Sequence, residues 1–388
     1  MSTCWRLAQL GFLATLLAAC STPSNLTPDG AVAAGISTPG ANPSAAASTK
    51  LGAGSGADGG NTFYRPGAGL QTPATRRATM QRFGTDLAKS RNLSEPAVQK
   101  LLAEARYNPT VVRIVSPPAA GVARASRSWI AYRKRFVEPI RINQGRAFMQ
   151  QYDAELNRAA ERYGVPQNII AAIIGVETIY GKNQGSFRVL DALATLGFDY
   201  PDPARPDRAE MFRDQLADLI ELDLAGRLDA RTLKGSYAGA VGIPQFMPGS
   251  IKRFAVSAQG ATQIDLTNNA ADAIMSVANY MVEHGWQRGL PVFAPVQLPT
   301  SSAKLVDGGL KANLDWPQLK AAGARLTPGA KDGAWMRGAL GVVDLPEEAA
   351  GTVEFRTATP NFFAITQYNH SYFYAASVAV LAAALDKR

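Results

Sequence analysis

The 388-residue sequence predicts a mainly α protein with a minor β part. Three observations lead there. Apolar residues recur at helical spacing over most of residues 78–290 and again near 370–385. Capping signals punctuate those stretches, with Ser94-Glu95-Pro96 at one start and Gly164, Gly226 and Gly285 at three ends. Between Val292 and Phe355 the pattern changes to short β-rich runs broken by Gly and Pro, such as Val292-Phe293-Ala294-Pro295-Val296 and Thr352-Val353-Glu354-Phe355.

Taken in chain order, the first segment reads as an export signal. Arg6 precedes an apolar run from Leu7 to Ala19, shorter than the roughly 20 residues that span a bilayer. The run closes on Leu17-Ala18-Ala19-Cys20, which resembles a bacterial lipobox. That resemblance implies cleavage of residues 1–19 and lipidation of Cys20, and Ser21 at the next position implies sorting to the outer membrane. Cys4 would leave with the signal, so neither Cys is available to a disulfide. Residues 20–75 then form the lipidated Cys and a linker rich in Ser, Thr, Pro, Gly and Ala, too poor in apolar side chains to offset its ordering entropy. As a flexible coil, such a tether reaches roughly 40 Å.

Helices follow from about residue 78, at about 95–105, 144–163 (stopped by Gly164), 208–225, 270–284 and 370–385. The most informative is Val165–Gly181, with Pro166 in its first turn and Gly181 as its stop. At about 100° per residue, Val176, Tyr180, Ile173, Ile170 and Ile174 fall on one arc, and Glu177 lies in the middle of it. A solvated Glu belongs on the opposite side, with Asn168, Ala171 and Gly175. A carboxyl among apolar side chains holds its proton to higher pH, which is what protonation of a glycosidic oxygen requires. Helix geometry alone also permits a structural Glu reaching past the helix end or paired with Arg188.

Several blocks then coincide. They are Gly175-Val176-Glu177-Thr178 with Gly181, Leu190-Asp191-Ala192-Leu193-Ala194-Thr195-Leu196, Lys234-Gly235-Ser236-Tyr237-Ala238-Gly239-Ala240, Gln245-Phe246-Met247-Pro248, Ser276-Val277-Ala278-Asn279-Tyr280, Pro360-Asn361-Phe362 and Tyr368-Asn369-His370-Ser371. In this order, over about residues 80–388, the chain resembles the membrane-bound lytic murein transglycosylase B family. The resemblance implies an α+β, mainly helical architecture: a lysozyme-like core with an added N-terminal α lobe and a small β-containing lobe. The expected division is 76–290 for the helical lobe and catalytic core, 291–357 for the β-containing lobe, and 358–388 for a segment completing the core.

The implied reaction cuts the bond between N-acetylmuramic acid and N-acetylglucosamine in peptidoglycan and leaves 1,6-anhydro ends. Glu177 matches the family's single general acid, then base, so no second carboxylate is needed, unlike most glycoside hydrolases. Asp191 reads as structural, at a helix start. Tyr132, Ser236, Gln245, Phe246, Tyr368, Asn369 and Tyr374 match substrate-cleft positions, as does Arg208, with Arg205 as its alternative because the Asp202–Asp207 segment is longer than in the family. Ser236 and Gln245 could orient Glu177 or the sugar's acetamido group, and Phe246 could offer the sugar an apolar face. Glycines 235, 239 and 242 suit either close approach to a ligand or a tight loop.

Family members can carry an EF-hand-like loop after the Gln245 block. Here Val256–Asp265 offers one carboxylate where Ca²⁺ takes six to eight oxygens, so no metal is expected, and no cofactor. Two His and two Cys also argue against a zinc site. The formal charge of +9 favours acidic partners. Export and the lack of a Lys/Arg-rich tract argue against nucleic acid and for glycan strands whose peptides carry carboxylates. The partners expected are peptidoglycan, the outer-membrane bilayer through Cys20 on its periplasmic face, and cell-wall synthesis or hydrolysis proteins. Two rival readings are a non-catalytic peptidoglycan-binding lipoprotein and a muramidase that admits water.

Overall fold

The computed structural model describes residues 72–117, 125–202, 204–261 and 263–386. The signal, Cys20 and nearly all of the linker lie outside these residues.

The N-terminal helices are α1 (Pro73–Arg91), α2 (Glu95–Ala103) and α3 (Pro109–Val115). Helix α1 begins at Pro73, before the periodicity becomes visible, because the Thr72 hydroxyl accepts from the Thr75 amide and Pro73 suits a first turn. Next come α4 (Trp129–Lys134), α5 (Pro139–Gln151) and α6 (Asp153–Tyr163). The expected helix over 144–163 is therefore two helices. Tyr152 breaks it at φ −114° and ψ 32°, and Asp153 and Glu155 supply the acidic first turn of the second piece. Gly164 closes α6 in the left-handed region, as expected.

Helix α7 (Gln167–Thr178) is the central strut. It packs against α14 (Tyr372–Asp386), α5, α6 and α11 (Ala270–Glu283). Every residue from Ile169 to Thr178 is buried, so the expected apolar arc with a solvated opposite side is corrected: Ala171 and Gly175 are as covered as Ile173. A helix apolar all round is a core helix, and neighbours on all sides cover it. Its stop is also corrected. The chain leaves the helix at Ile179, two residues before Gly181, and Ile179, Tyr180 and Gly181 all take positive φ.

Around this strut, β1 (Phe187–Arg188) pairs with β2 (Lys234–Gly235), and α8 (Val189–Phe198) packs on α9 (Pro206–Leu224). Helix α10 (Pro248–Phe254) then leads into α11.

The β-containing part holds β3 (Val296–Gln297) paired with β4 (Arg325–Leu326), with α12 (Trp316–Ala321) between them. Its main feature is the hairpin of β5 (Gly341–Glu347) and β6 (Thr352–Ala358), in register from Gly341↔Ala358 to Glu347↔Thr352. A small second core gathers Trp316, Leu319, Trp335, Leu340 and Val342, with the two indoles edge to face at 5.3 Å. Alternation along β5 sends Val342 into this core and Val343 and Leu345 into the main one, so one strand ties both together. Helix α13 (Pro360–Thr366) returns the chain to the main core ahead of α14. None of the described helices is long and apolar enough to cross a membrane.

Candidate active site

Glu177 sits in the last turn of α7 and is 7% exposed. Its Oε1 accepts a 2.5 Å hydrogen bond from the hydroxyl of Tyr374, itself fully buried on α14. Burial pushes the carboxyl up to about 7, and the Tyr374 hydrogen bond pulls the other way by favouring the charged form. Arg188, one sequence-level candidate for a structural partner, instead meets Glu104 and Asp191. The desolvation of Glu177 is therefore not relieved by an ion pair, and a group of this kind can hold or release a proton near neutral pH.

Aromatic rings build the wall beside it. Tyr368 lies nearly parallel to Tyr374, with centroids 6.4 Å apart and planes at 15°, and its hydroxyl donates to the Pro244 carbonyl at 2.6 Å. Tyr280 packs on Tyr368 at 4.8 Å and donates to the Gln367 carbonyl at 2.6 Å. Burial and the nearby Glu177 charge raise the Tyr280, Tyr368 and Tyr374 phenols, which stay protonated as donors. Tyr280 closes the Ser276–Tyr280 block, to which the sequence attaches no site role. Its helical spacing with Val277 and Met281 looks like ordinary core, and no one-dimensional signal separates the two uses.

The turn after Glu177 is tightly specified. The Thr178 hydroxyl accepts from the Gly181 amide at 2.9 Å and donates to the Ile243 carbonyl at 2.8 Å. The buried Arg141 donates from Nε to the Gly175 carbonyl at 2.9 Å. Tyr180 fills a slot against two glycines, and a Cβ at Gly145 or Gly175 would come within 2.2 or 2.5 Å of its hydroxyl oxygen. These contacts hold Ile179 and Tyr180 in a backbone region that side chains rarely adopt. Neither Thr178 nor Arg141 was among the expected site residues.

The remaining candidates are distributed unevenly. Tyr132 lies between Phe136 and Phe373, half-buried, and close enough to Tyr374 to raise that phenol further. Asn369 is buried, and its side-chain oxygen has no hydrogen-bond partner among the described residues. Ser236 and Gln245 hydrogen-bond elsewhere than to Glu177. The Ser236 hydroxyl accepts from the Ala240 amide at 3.0 Å, and the Gln245 amide nitrogen donates to the carbonyls of Gln184 and Gly242 at 3.1 and 2.8 Å. Phe246 lies inside the aromatic wall. It is 2% exposed and packed against Tyr280 and Tyr368, so its faces meet protein.

The glycines of this segment serve a tight loop. A Cβ at Gly235 would lie 2.1 Å from the Ala240 carbonyl oxygen, and one at Gly242 2.3 Å from that of Leu266. Arg205 is engaged by Asp207 through two 3.2 Å hydrogen bonds, whereas Arg208 lies 6.0 Å over the Phe212 ring and acts on Asp207 through its charge. Neither arginine touches Glu177. Asp191 accepts from the Arg106 amide at 2.8 Å and pairs with Arg188, a structural role.

The transglycosylase SLT domain family matches residues 75–383 of this chain. Membrane-bound lytic murein transglycosylase B of Escherichia coli K12 is 38% identical over 306 residues, covering 77% of this chain and 80% of that protein. Soluble lytic transglycosylase SltB1 of Pseudomonas aeruginosa superposes with a TM-score of 0.69 at 34% identity, covering 79% of this chain and 98% of that one. The E. coli lytic transglycosylase Slt35 in complex with calcium gives 0.67 at 34%, covering 82% and 95%.

The calcium of that relative raises the question of fit. Among the described residues no group of three or more His, Cys, Asp or Glu could hold a metal. In the segment after α10, the two oxygens of Asp265 accept from the Thr267 and Asn268 amides and the Asn268 side chain. Those of Asp272 accept from the Ala258 and Asp265 amides. Two carboxylates already occupied by N–H donors do not fit an ion that takes six to eight oxygens.

Proposed function

Since the chain belongs to the transglycosylase SLT family and is a lytic transglycosylase of peptidoglycan, we propose that Glu177 is its single acid–base group. As an acid, Glu177 gives its proton to the oxygen joining N-acetylmuramic acid to N-acetylglucosamine. As the resulting carboxylate, it takes the proton of the muramoyl C6 hydroxyl while O6 bonds to C1. The glycosidic C1–O bond breaks, a 1,6-anhydro ring forms, and no water is consumed. One observation carries this reading: a buried carboxyl raised to about 7 whose bonded partner is a neutral tyrosine. Burial supports the acid stage, and the Tyr374 hydroxyl supports the carboxylate stage.

Substrate contacts are proposed for Tyr132, Arg208, Tyr368 and Asn369. The Asn369 oxygen is a buried acceptor that a sugar N–H or hydroxyl would satisfy. Ser236, Gln245 and Phe246 support the reading differently, by shaping the loop that carries the Pro244 carbonyl to Tyr368. Non-catalytic binding gives way to catalysis, because the relatives are enzymes that cleave peptidoglycan.

The protein acts in the cell envelope. We further propose that acylated Cys20 anchors it to the periplasmic face of the outer membrane, with residues 21–75 as leash and cell-wall synthesis or hydrolysis proteins as neighbours. The divisions near 290 and 357 are proposed as limits of the β-containing lobe; the second small core supports them.

Mass spectrometry of the sugar ends released from purified murein tests the mechanism. The expected products end in 1,6-anhydro-muramic acid and are absent with Glu177→Gln. Reducing ends, one water heavier, would replace this mechanism with hydrolysis.

A further inference from the structure

The geometry points to Asp272 as a positioning residue for Glu177, holding without a cation the loop between α10 and α11. Asp272 is 2% exposed and lies in the first turn of α11, where the helix dipole favours a negative charge. Its Oδ1 accepts from the Ala258 amide at 2.8 Å and its Oδ2 from the Asp265 amide at 3.1 Å, so one carboxylate staples both ends of the 258–265 stretch.

From there a line of hydrogen bonds runs to the acid. Leu266, next to Asp265, accepts from the Ile243 amide at 2.8 Å. Ile243 accepts through its own carbonyl from the Thr178 hydroxyl at 2.8 Å, and Thr178 is the residue after Glu177. A parallel strut runs through Gln184, whose amide nitrogen donates to the Thr267 carbonyl at 3.0 Å and to the Gly181 carbonyl at 3.1 Å. Both routes end on the left-handed turn that terminates α7. That turn places residues in a costly conformation, and such a conformation persists only while its surroundings over-determine it. Releasing Asp265 and Leu266 therefore loosens the aim of the Glu177 carboxyl rather than the binding of sugar, and small misplacements of a catalytic group reduce turnover steeply.

This inference rests on Glu177 as the acid. The experiment is a double-mutant cycle on murein turnover with Asp272→Asn and Thr178→Val. The amide of Asp272→Asn turns an N–H₂ toward one of the two loop amides and leaves it without an acceptor. Each single variant is expected to lower kcat about tenfold, with KM held within about twofold. The pair should lose little more than Asp272→Asn alone, because that variant releases both routes and Thr178→Val cuts one of the same two. Calcium or a chelator should change neither kcat nor the melting temperature.

Losses that multiply, an unchanged kcat in folded Asp272→Asn, or a saturable calcium-induced rise in melting temperature would overturn the inference. Should Asp272→Asn fail to fold, amide hydrogen exchange on the unaltered protein decides. Slow exchange at Asp265 and Ile243, equal with calcium and with chelator, supports the staple; fast exchange at either removes it. Retained activity in Glu177→Gln would instead sink the acid assignment and leave the Asp272 hydrogen bonds as they are.

Discussion

Two buried carboxyls with the same 7% exposure have opposite surroundings. Asp218 on α9 meets Arg91 at 2.6 Å and Lys252 at 3.5 Å, and its neighbour Glu221 meets the same two cations at 2.8 and 2.7 Å. Burial pushes Glu221 up, but the hydrogen bonds and charges of Lys252 and Arg91 outweigh it and hold the carboxyl below its usual range. Glu177 has burial and one neutral phenol, and rises to about 7. Burial alone does not make an acid. What separates the structural carboxylates from the candidate catalytic one is the partner each received, cations on the outer helices and a tyrosine on the central one.

The comparison can be broken at either end. The largest effect is expected from Glu177→Gln, which should lower murein turnover by at least about 10³-fold, since the same group serves in both steps. Initial rates of anhydro-end release measure it. For the unaltered enzyme, the fraction of Glu177 that carries its proton falls as pH rises through about 7, and kcat should decline along that limb.

Arg91→Met attacks the other region. It leaves two part-buried carboxylates with Lys252 alone, and should destabilise the protein by about 1–3 kcal/mol near neutral pH, read by chemical denaturation. Stabilisation from the lowered Glu221 is present above its unfolded value near 4.5 and is lost as pH falls through its lower folded value. The penalty of Arg91→Met should therefore shrink in acid, while kcat at neutral pH stays unchanged.

Tyr374→Phe sharpens the comparison at the site. Removing the phenol takes away the hydrogen bond that favours the charged form, so the alkaline limb should move to higher pH and kcat should fall about tenfold. The smallest effect is one of stability. The raised Glu177 binds its proton more tightly folded than unfolded, so it lowers stability as pH climbs from about 4.5 to about 7 and costs a constant amount above that. Glu177→Gln should thus resist denaturant better than the parent above pH 7, and lose the advantage near pH 4.5.

Much of the fold was legible in the sequence. The Gly164 cap, the ends near Gly226 and Gly285 and the change to β structure after Val292 follow from local chemistry. The single helix expected over 144–163 failed because a break at Tyr152 leaves no glycine or proline in the sequence to betray it. Gly181 was the reasonable stop for α7, yet Ile179 takes the left-handed position. The stop depends on Thr178 reaching Ile243, 65 residues away.

By itself the sequence determined which residue types stand where: an acid on a strongly apolar helix, tyrosines near the end of the chain, and a loop after α10 too poor in carboxylates for calcium. Such features are local, and spacing, capping and composition express them directly. Only the tertiary structure decided what faces what. It set Tyr374 against Glu177 across 197 residues, turned Ser236, Gln245 and Phe246 into the frame of a loop, and gave Asp272 two backbone amides to hold. Proton affinity depends on the atoms within a few ångströms of a carboxyl, and in this fold those atoms come from distant parts of the chain.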